Sequence, residues 1–510
     1  MSRAGTAIVV GAGIGGLTAA MKLAHLGWRV EVHEKALEPG GRCGRVRLED
    51  FTFDLGPTIL LMPFIFEQTF ASVGRKLSDY VELRRCDPNY RVTFADDSTF
   101  TLTSELTAMR TELERLEPGC FERYLAFLSA GRDQHDTALS LFVTKHFDSL
   151  LQFIKPSNLP HFFRIGAHRT LFNQVARAFK DPRLQQAMSF QTMYLGVSPY
   201  EAPAVFSLLP YTELAHGIWF PMGGMSSIAR ALETVCRELG VAFHYGSSVT
   251  RIRTERRRAK GVDLADGSVK LADVVVCNAD LAWASANLLE PEVSDSPKIE
   301  KLRFTSSGYV LHLGLKRRID ALGHHNMFFG RDFEGSFTDI FERLQVPEDP
   351  SFYVNAPTRT DPSMAPEGKD ALYVLVPVPH RTPTIDWRLE GPKVRAKVMQ
   401  RLAALGFGDL ERDIEVERVM TPDDWESQLN LARGSNFGLA QNLLQIGPFR
   451  PKVWHEKVEN LFFCGASVQP GTGVPTVMIS ADLAVKAIEQ RAVFEPSHLL
   501  PVQVSQQVLS

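Results

Sequence analysis

The feature that most constrains this chain is its opening, where an apolar run, Thr6–Val10, passes directly into Gly11-Ala12-Gly13-Ile14-Gly15-Gly16. Each glycine of the G-x-G-x-x-G spacing has a physical reason. Gly11 allows a tight strand-to-helix turn, Gly13 lets a pyrophosphate approach the backbone, and Gly16 lets helix and strand pack closely. Ile14, Leu17, Met21 and Ala24 follow at helical spacing, and Gly27 ends that helix. Val30 to Glu34 then alternates as a second strand, which makes a βαβ unit with parallel strands. Glu34, 18 residues after Gly16, stands where a carboxylate accepts hydrogen bonds from ribose hydroxyls. The pattern predicts an α/β fold with a dinucleotide at the strand ends.

Two further segments select the dinucleotide. Pro39-Gly40-Gly41-Arg42-Cys43-Gly44-Arg45 places a second glycine pair and a cation just past the ribose strand, and Phe53-Asp54-Leu55-Gly56-Pro57-Thr58 follows. Plain nicotinamide domains lack this second backbone approach, so the reading is FAD. Near the other end, Asn460–Cys464 reads as a strand leading into Gly465-Ala-Ser467-Val-Gln469-Pro470-Gly471-Thr-Gly473-Val474-Pro475 and a helix to about Arg491. A helix starting at Val474-Pro475 can turn its free N–H groups toward the flavin's pyrimidine edge. Lys35, beside Glu34, and Val249, heading the strand Val249–Thr254, complete the expected cofactor-binding set. Both ends of the chain are thus nucleotide-binding pieces. The expected organisation is a Rossmann-type FAD-binding domain built from 1–100, 216–299 and 446–495, with a helical subdomain at 101–215, a mixed-sheet substrate domain at 300–445 and a polar tail at 496–510.

Composition removes some function classes. Fifty-six basic against 59 acidic residues give a net charge of -3, which offers no basic face for a nucleic acid. The six cysteines form no C-x-x-C pair, which predicts reduced thiols, a cytosolic setting and no metal centre. The N-terminus does not read as a signal peptide, and no window holds about 20 uncharged apolar residues, so no spanning helix is expected. Phe stands out, with 33 against 10 Tyr and 6 Trp. Between 141 and 190, eight Phe interleave with Lys145, Lys155, Arg164, Arg169, Arg177 and Lys180, a pattern that fits either a bilayer surface or a domain core.

Taken in order, these motifs, with Gly217-Ile-Trp-Phe-Pro221-Met-Gly223-Gly224, Met364-Ala-Pro-Glu-Gly368, Val374-Leu-Val-Pro-Val-Pro-His380 and Gly434-Ser-Asn-Phe437, resemble the bacterial and fungal carotenoid desaturases over about residues 5–490. One departure is Gln469, where that family usually has His before Pro-Gly. The resemblance implies an FAD enzyme with an amine-oxidase-like fold. Its reaction would desaturate a long polyene, phytoene above all, by hydride transfer to flavin and proton loss. It further implies peripheral membrane association on the cytoplasmic face and reoxidation by quinone or oxygen. Asp148 is the candidate for handling the proton. Alternatives are a C30 or later-pathway desaturase, a carotene isomerase, an amine-oxidase-like or porphyrinogen oxidase, and, from another class, a non-enzymatic prenyl-binding protein of the same fold.

Overall fold

The computed structural model describes residues 5–147, 166 and 169–493. Five parallel strands lie side by side in the order Leu461–Phe463, Val274–Cys277, Thr6–Val10, Arg29–Glu34 and Ala242–Tyr245. The central strands are near-continuous apolar runs because helices cover both faces of a parallel sheet. Val274–Cys277 is buried throughout, and Thr6–Val10 is buried after its first residue. The first helix, Ile14–His25, packs against Ser226–Glu238 and against the last helix, Val474–Arg491. It stops where Gly27 takes φ +88° and donates to the Ala24 carbonyl. This sheet therefore draws on both ends of the chain and on its middle.

A three-stranded antiparallel meander, Val249–Glu255, Arg258–Leu264 and Val269–Leu271, adjoins it. Its first hairpin turns on Arg256 and Arg257, both at positive φ. This arginine run is a hairpin tip, anchored by Arg258 to Glu459 at 3.1 Å.

The second half is a mixed seven-stranded sheet. Its order is Ile414–Met420, Ser307–Leu315, Asp370–Val378, Phe352–Asn355, His325–Phe328, Tyr90–Thr93 and Thr99–Leu102. Period-two alternation sorts its residues. Tyr309, Leu311, Leu313 and Leu315 face a core closed by the helix Trp387–Ala404. Val310 and Tyr373 face a separate core that also holds Tyr90, Phe190 and Phe220.

Residues 101–200 form helices at Leu106–Leu116, Phe121–Ala138, Leu171–Ala178 and Pro182–Ala187. Of the Phe-rich stretch, Phe147, Phe179 and Phe190 are buried and Phe172 is half-buried. The three buried rings serve the core, and Phe172 packs on Tyr200 with ring centroids 4.4 Å apart. Phe153, Phe162, Phe163, Lys155 and Arg164 lie outside the described residues, as does Asp148. Among the described residues, no helix is long and apolar enough to cross a membrane. All six cysteines are free and buried.

Candidate functional site

The glycine loop is shaped by its neighbours. Gly11 has φ +96° and donates to the His33 carbonyl at 2.8 Å, hooking the loop onto the second strand. A Cβ on Gly16 would overlap the Gly11 carbonyl oxygen. Gly13 has an ordinary φ of -72°, and what demands glycine there is Asn278, whose Oδ1 would lie 2.7 Å from an added Cβ. Gly15 meets the same side chain, at 2.5 Å from Nδ2. Asn278 ends the Val274–Cys277 strand and donates to the Cys464 carbonyl at 2.9 Å. It thereby joins the N-terminal glycine loop to the C-terminal one at Gly465, whose Cβ would stand 3.2 Å from Nδ2. The first helix has no side-chain cap, so its leading N–H groups face the loop uncovered.

Glu34 is 9% exposed and accepts from the backbone N–H groups of Ala12, at 2.7 Å, and Ala36, at 2.8 Å. Lys35 beside it is exposed. Val249 is buried, and its strand is drawn alongside Glu34 by the Ser247 N–H, which donates to the Glu34 carbonyl at 2.9 Å. Gly40, at φ +126°, donates to the Ala12 carbonyl, which sets Gly41 directly on Gly13, 3.4 Å from a would-be Cβ to its Cα. Arg42 donates to the Asn436 carbonyl at 2.9 Å. It lines a cleft with Asn278, Asp280, Gly465 and Ser467.

The other motifs interlock behind this cleft. Asp54 accepts from the Met225 N–H at 2.7 Å, pinning the Gly223-Gly224 turn, and burial raises its carboxyl to about 7. Pro57 is half-buried, and the Thr58 hydroxyl bonds the Tyr353 hydroxyl of the seven-stranded sheet at 2.9 Å. In the C-terminal loop, Gly471 (φ +150°) presses on the Gln441 side-chain oxygen, and Gly473 (φ +113°) is the N-cap of the last helix, which begins at Val474 with no side-chain cap. Gln469, in the place of the expected His, accepts from the Phe147 N–H and donates to the Gly447 carbonyl, both at 3.1 Å. Arg450 is 1% exposed and donates to the carbonyls of Leu439, Ala440, Gln445, Ala466 and Val468.

Three groups escaped the sequence reading. Glu213 is 1% exposed and accepts from the Tyr90 hydroxyl at 3.0 Å, while Tyr90 accepts from Tyr194. Burial raises the Glu213 carboxyl to about 8. Cys86, His324 and His325 bring metal-ligand atom types within 4.8 Å of one another, with no sequence spacing that marks them. Burial pushes both imidazoles down, His324 to about 3. Glu31, His33 and His244 form a second, partly exposed group of this kind.

Comparison with known proteins places this geometry. The profile described as flavin containing amine oxidoreductase matches residues 14–489. The zeta-carotene-forming phytoene desaturase of Myxococcus xanthus is 60% identical over 482 residues, covering 94% of this chain and 93% of that one. The chain belongs to the carotenoid desaturases of that flavoprotein family. A phytoene desaturase of Phycomyces blakesleeanus is 39% identical over 490 residues, covering 93% and 84% of the two chains. Wild-type putrescine oxidase bound to putrescine superposes with a TM-score of 0.60 at 13% identity, covering 96% of this chain and 99% of that one, a likeness of fold. As a carotenoid desaturase the chain is a flavin-dependent oxidoreductase, and its cofactor is FAD.

Proposed function

We propose that this carotenoid desaturase converts phytoene to more conjugated carotenes, with zeta-carotene as its product. The observation that carries this reading is the 60% identity, over nearly the full length of both chains, to the zeta-carotene-forming enzyme. The residues present fit FAD. The helix N-terminus over Gly13 is uncapped, no Cβ stands at Gly11, Gly13, Gly41 or Gly465, and the Glu34 carboxylate closes the far end. In this reading Gly11, Gly13, Gly16 and Arg42 hold the pyrophosphate, and Glu34, Lys35 and Val249 border the adenosine. Gly41, Pro57, Thr58, Gly465, Gly473 and Val474 border the ring. When bound, FAD supplies the hydride acceptor. The chain itself orients a long hydrocarbon between the cleft and the seven-stranded sheet and keeps water out. Asp148 keeps its place as a candidate for the proton.

The substrate's insolubility supports a peripheral place on the cytoplasmic face of a membrane, and quinone or oxygen as the final acceptor. Expression in cells making phytoene, and separately its C30 analogue, tests the substrate through the pigments formed. Zeta-carotene from the first and no coloured product from the second is the expected result. Flotation with anionic liposomes tests the membrane, and a wholly soluble protein would remove that part.

A further inference from the structure

Desaturation, on the reading above, takes a hydride from one carbon and a proton from its neighbour. We infer that Glu213 is the terminal acceptor of that proton, reached through the hydroxyls of Tyr194 and Tyr90. The inference rests on the proposed desaturation and adds a residue to it.

Glu213 lies in a π-helical turn, Thr212–His216, a rare conformation that recurs at functional sites. Its own carbonyl accepts from the Asn89 side chain at 2.6 Å, which fixes the turn against the head of the Tyr90–Thr93 strand. Its carboxyl is aimed inward and accepts from the Tyr90 hydroxyl, with the Tyr194 hydroxyl one step further out. The titratable groups of the neighbouring elements are Tyr90 and Tyr194, with His325 and Tyr353 one and two strands further into the sheet.

The order of donation is directional. Tyr194 donates to Tyr90, and Tyr90 donates to Glu213 at 3.0 Å. Tyr90 and Glu213 are sealed, at 0% and 1% exposure, whereas Tyr194 is only half-buried and forms the open end. That end lies near the cleft. Gly196, two residues on, stands so close to Phe437 that an added Cβ would lie 2.7 Å from its ring, and Phe437 is next to Asn436, whose carbonyl holds Arg42. The same cluster reaches Thr58, because the Tyr90 ring packs on His325, His325 Nδ1 bonds the Tyr353 hydroxyl at 2.6 Å, and Tyr353 bonds Thr58.

The step balances without a further reagent. A C–H bond on the carbon beside the developing cation breaks, and its electron pair becomes the new double bond. The proton passes to the Tyr194 oxygen as the Tyr194 hydroxyl proton moves to Tyr90 and that of Tyr90 moves to the Glu213 carboxylate. Both tyrosines end neutral and Glu213 ends as a carboxylic acid, which returns its proton along the same two hydroxyls to water at Tyr194 once the product has left. A carboxyl that burial holds near the working pH is matched to this exchange.

The test compares wild-type, E213Q and E213D holoenzymes with equal flavin content. Anaerobic flavin bleaching is followed on vesicles carrying phytoene across neutral to alkaline pH. Wild type is expected to bleach faster as pH rises, E213Q to be slower by on the order of a hundredfold with a flat profile, and E213D to regain rate and pH dependence. E213Q bleaching at the wild-type rate with the wild-type profile overturns the inference. A substrate-free titration followed by infrared difference spectroscopy separates this outcome from failure of the phytoene reading. A carboxylic-acid band that titrates near neutral pH and vanishes in E213Q supports the role. A Glu213 that stays in one protonation state throughout overturns it, whatever phytoene does.

Discussion

Glu34 and Arg450 show how much a single side chain fixes at this site. Glu34 is bonded to the N–H groups of Ala12 and Ala36, so it holds the glycine loop and the chain after the second strand in one place. Glu34→Ala is expected to weaken FAD binding by on the order of 1.5–3 kcal/mol, the size of a charged hydrogen bond. Retained flavin after gel filtration is the measurement, and a fully flavinated mutant would place the ribose elsewhere. Arg450 is a buried cation whose hydrogen-bond partners are five backbone carbonyls, and burial lowers its guanidinium to about 9. It ties the 439–445 loop to Ala466 and Val468 of the C-terminal loop. Arg450→Met orphans all five acceptors, and a loss on the order of 3 kcal/mol in denaturant unfolding is expected, together with lost flavin. Lys has three donors where Arg has five, so Arg450→Lys is expected to recover part of the loss. An Arg450→Met protein of wild-type stability would show that water replaces the guanidinium.

At the level of elements, the last helix shows what the sequence could reveal and what it could not. Its start follows from Pro475 in the first turn, and the structure places the helix at Val474–Arg491. The Thr6–Val10 strand was legible for the same reason, since local spacing decides it. Gly473 carries a second constraint that spacing does not reveal. At φ +113° any side chain is strained, and its Cβ would also lie 3.0 Å from Thr476 Oγ1. Gly473→Val is therefore expected to lose flavin through the misplaced helix start as well as through bulk at the ring, with the far-ultraviolet circular dichroism of the whole chain retained. A folded, fully flavinated Gly473→Val would put this loop away from the cofactor. Glu213, Asn278 and the Cys86–His324–His325 group were illegible because their partners come from distant segments. Glu213 meets Tyr90 across 123 positions and Asn278 meets Cys464 across 186. The Phe-rich stretch left two readings open for a related reason, since aromatic residues at helical spacing look alike whether they face lipid or the core that receives Phe147, Phe179 and Phe190.

For the whole molecule, the buried titratable groups set a pH of greatest stability. Burial holds down seven histidines, His33 and His312 at about 4, His324 at about 3, His325 well below its ordinary value, and His216, His380 and His455 lowered as well. Unfolding frees them to take up protons below their unfolded value of 6.5, so the unfolded state binds more protons there and stability falls as pH drops. Asp54 and Glu213 act in the opposite sense. Their carboxyls are raised to about 7 and about 8 from 3.8 and 4.5, so the folded state holds protons that the unfolded state has released. Their contribution is complete at low pH and is lost as pH climbs through 7 and 8. Around pH 5.5 the protons taken up by the unfolded histidines outweigh those held by the buried carboxyls, and stability rises with pH. Above about pH 7 the unfolded histidines are largely neutral, the carboxyls dominate, and stability declines. The thermal midpoint is therefore expected to peak at about pH 6.5–7. Glu213→Gln, which keeps the shape and cannot ionise, should flatten the alkaline limb by about 1–2 kcal/mol and steepen the acid limb, where the Glu213 proton opposes the histidines. A series of midpoints from pH 5 to 9 decides it. An alkaline limb that is equally steep in wild type and Glu213→Gln would mean that Glu213 is already a carboxylate inside the folded chain over this range.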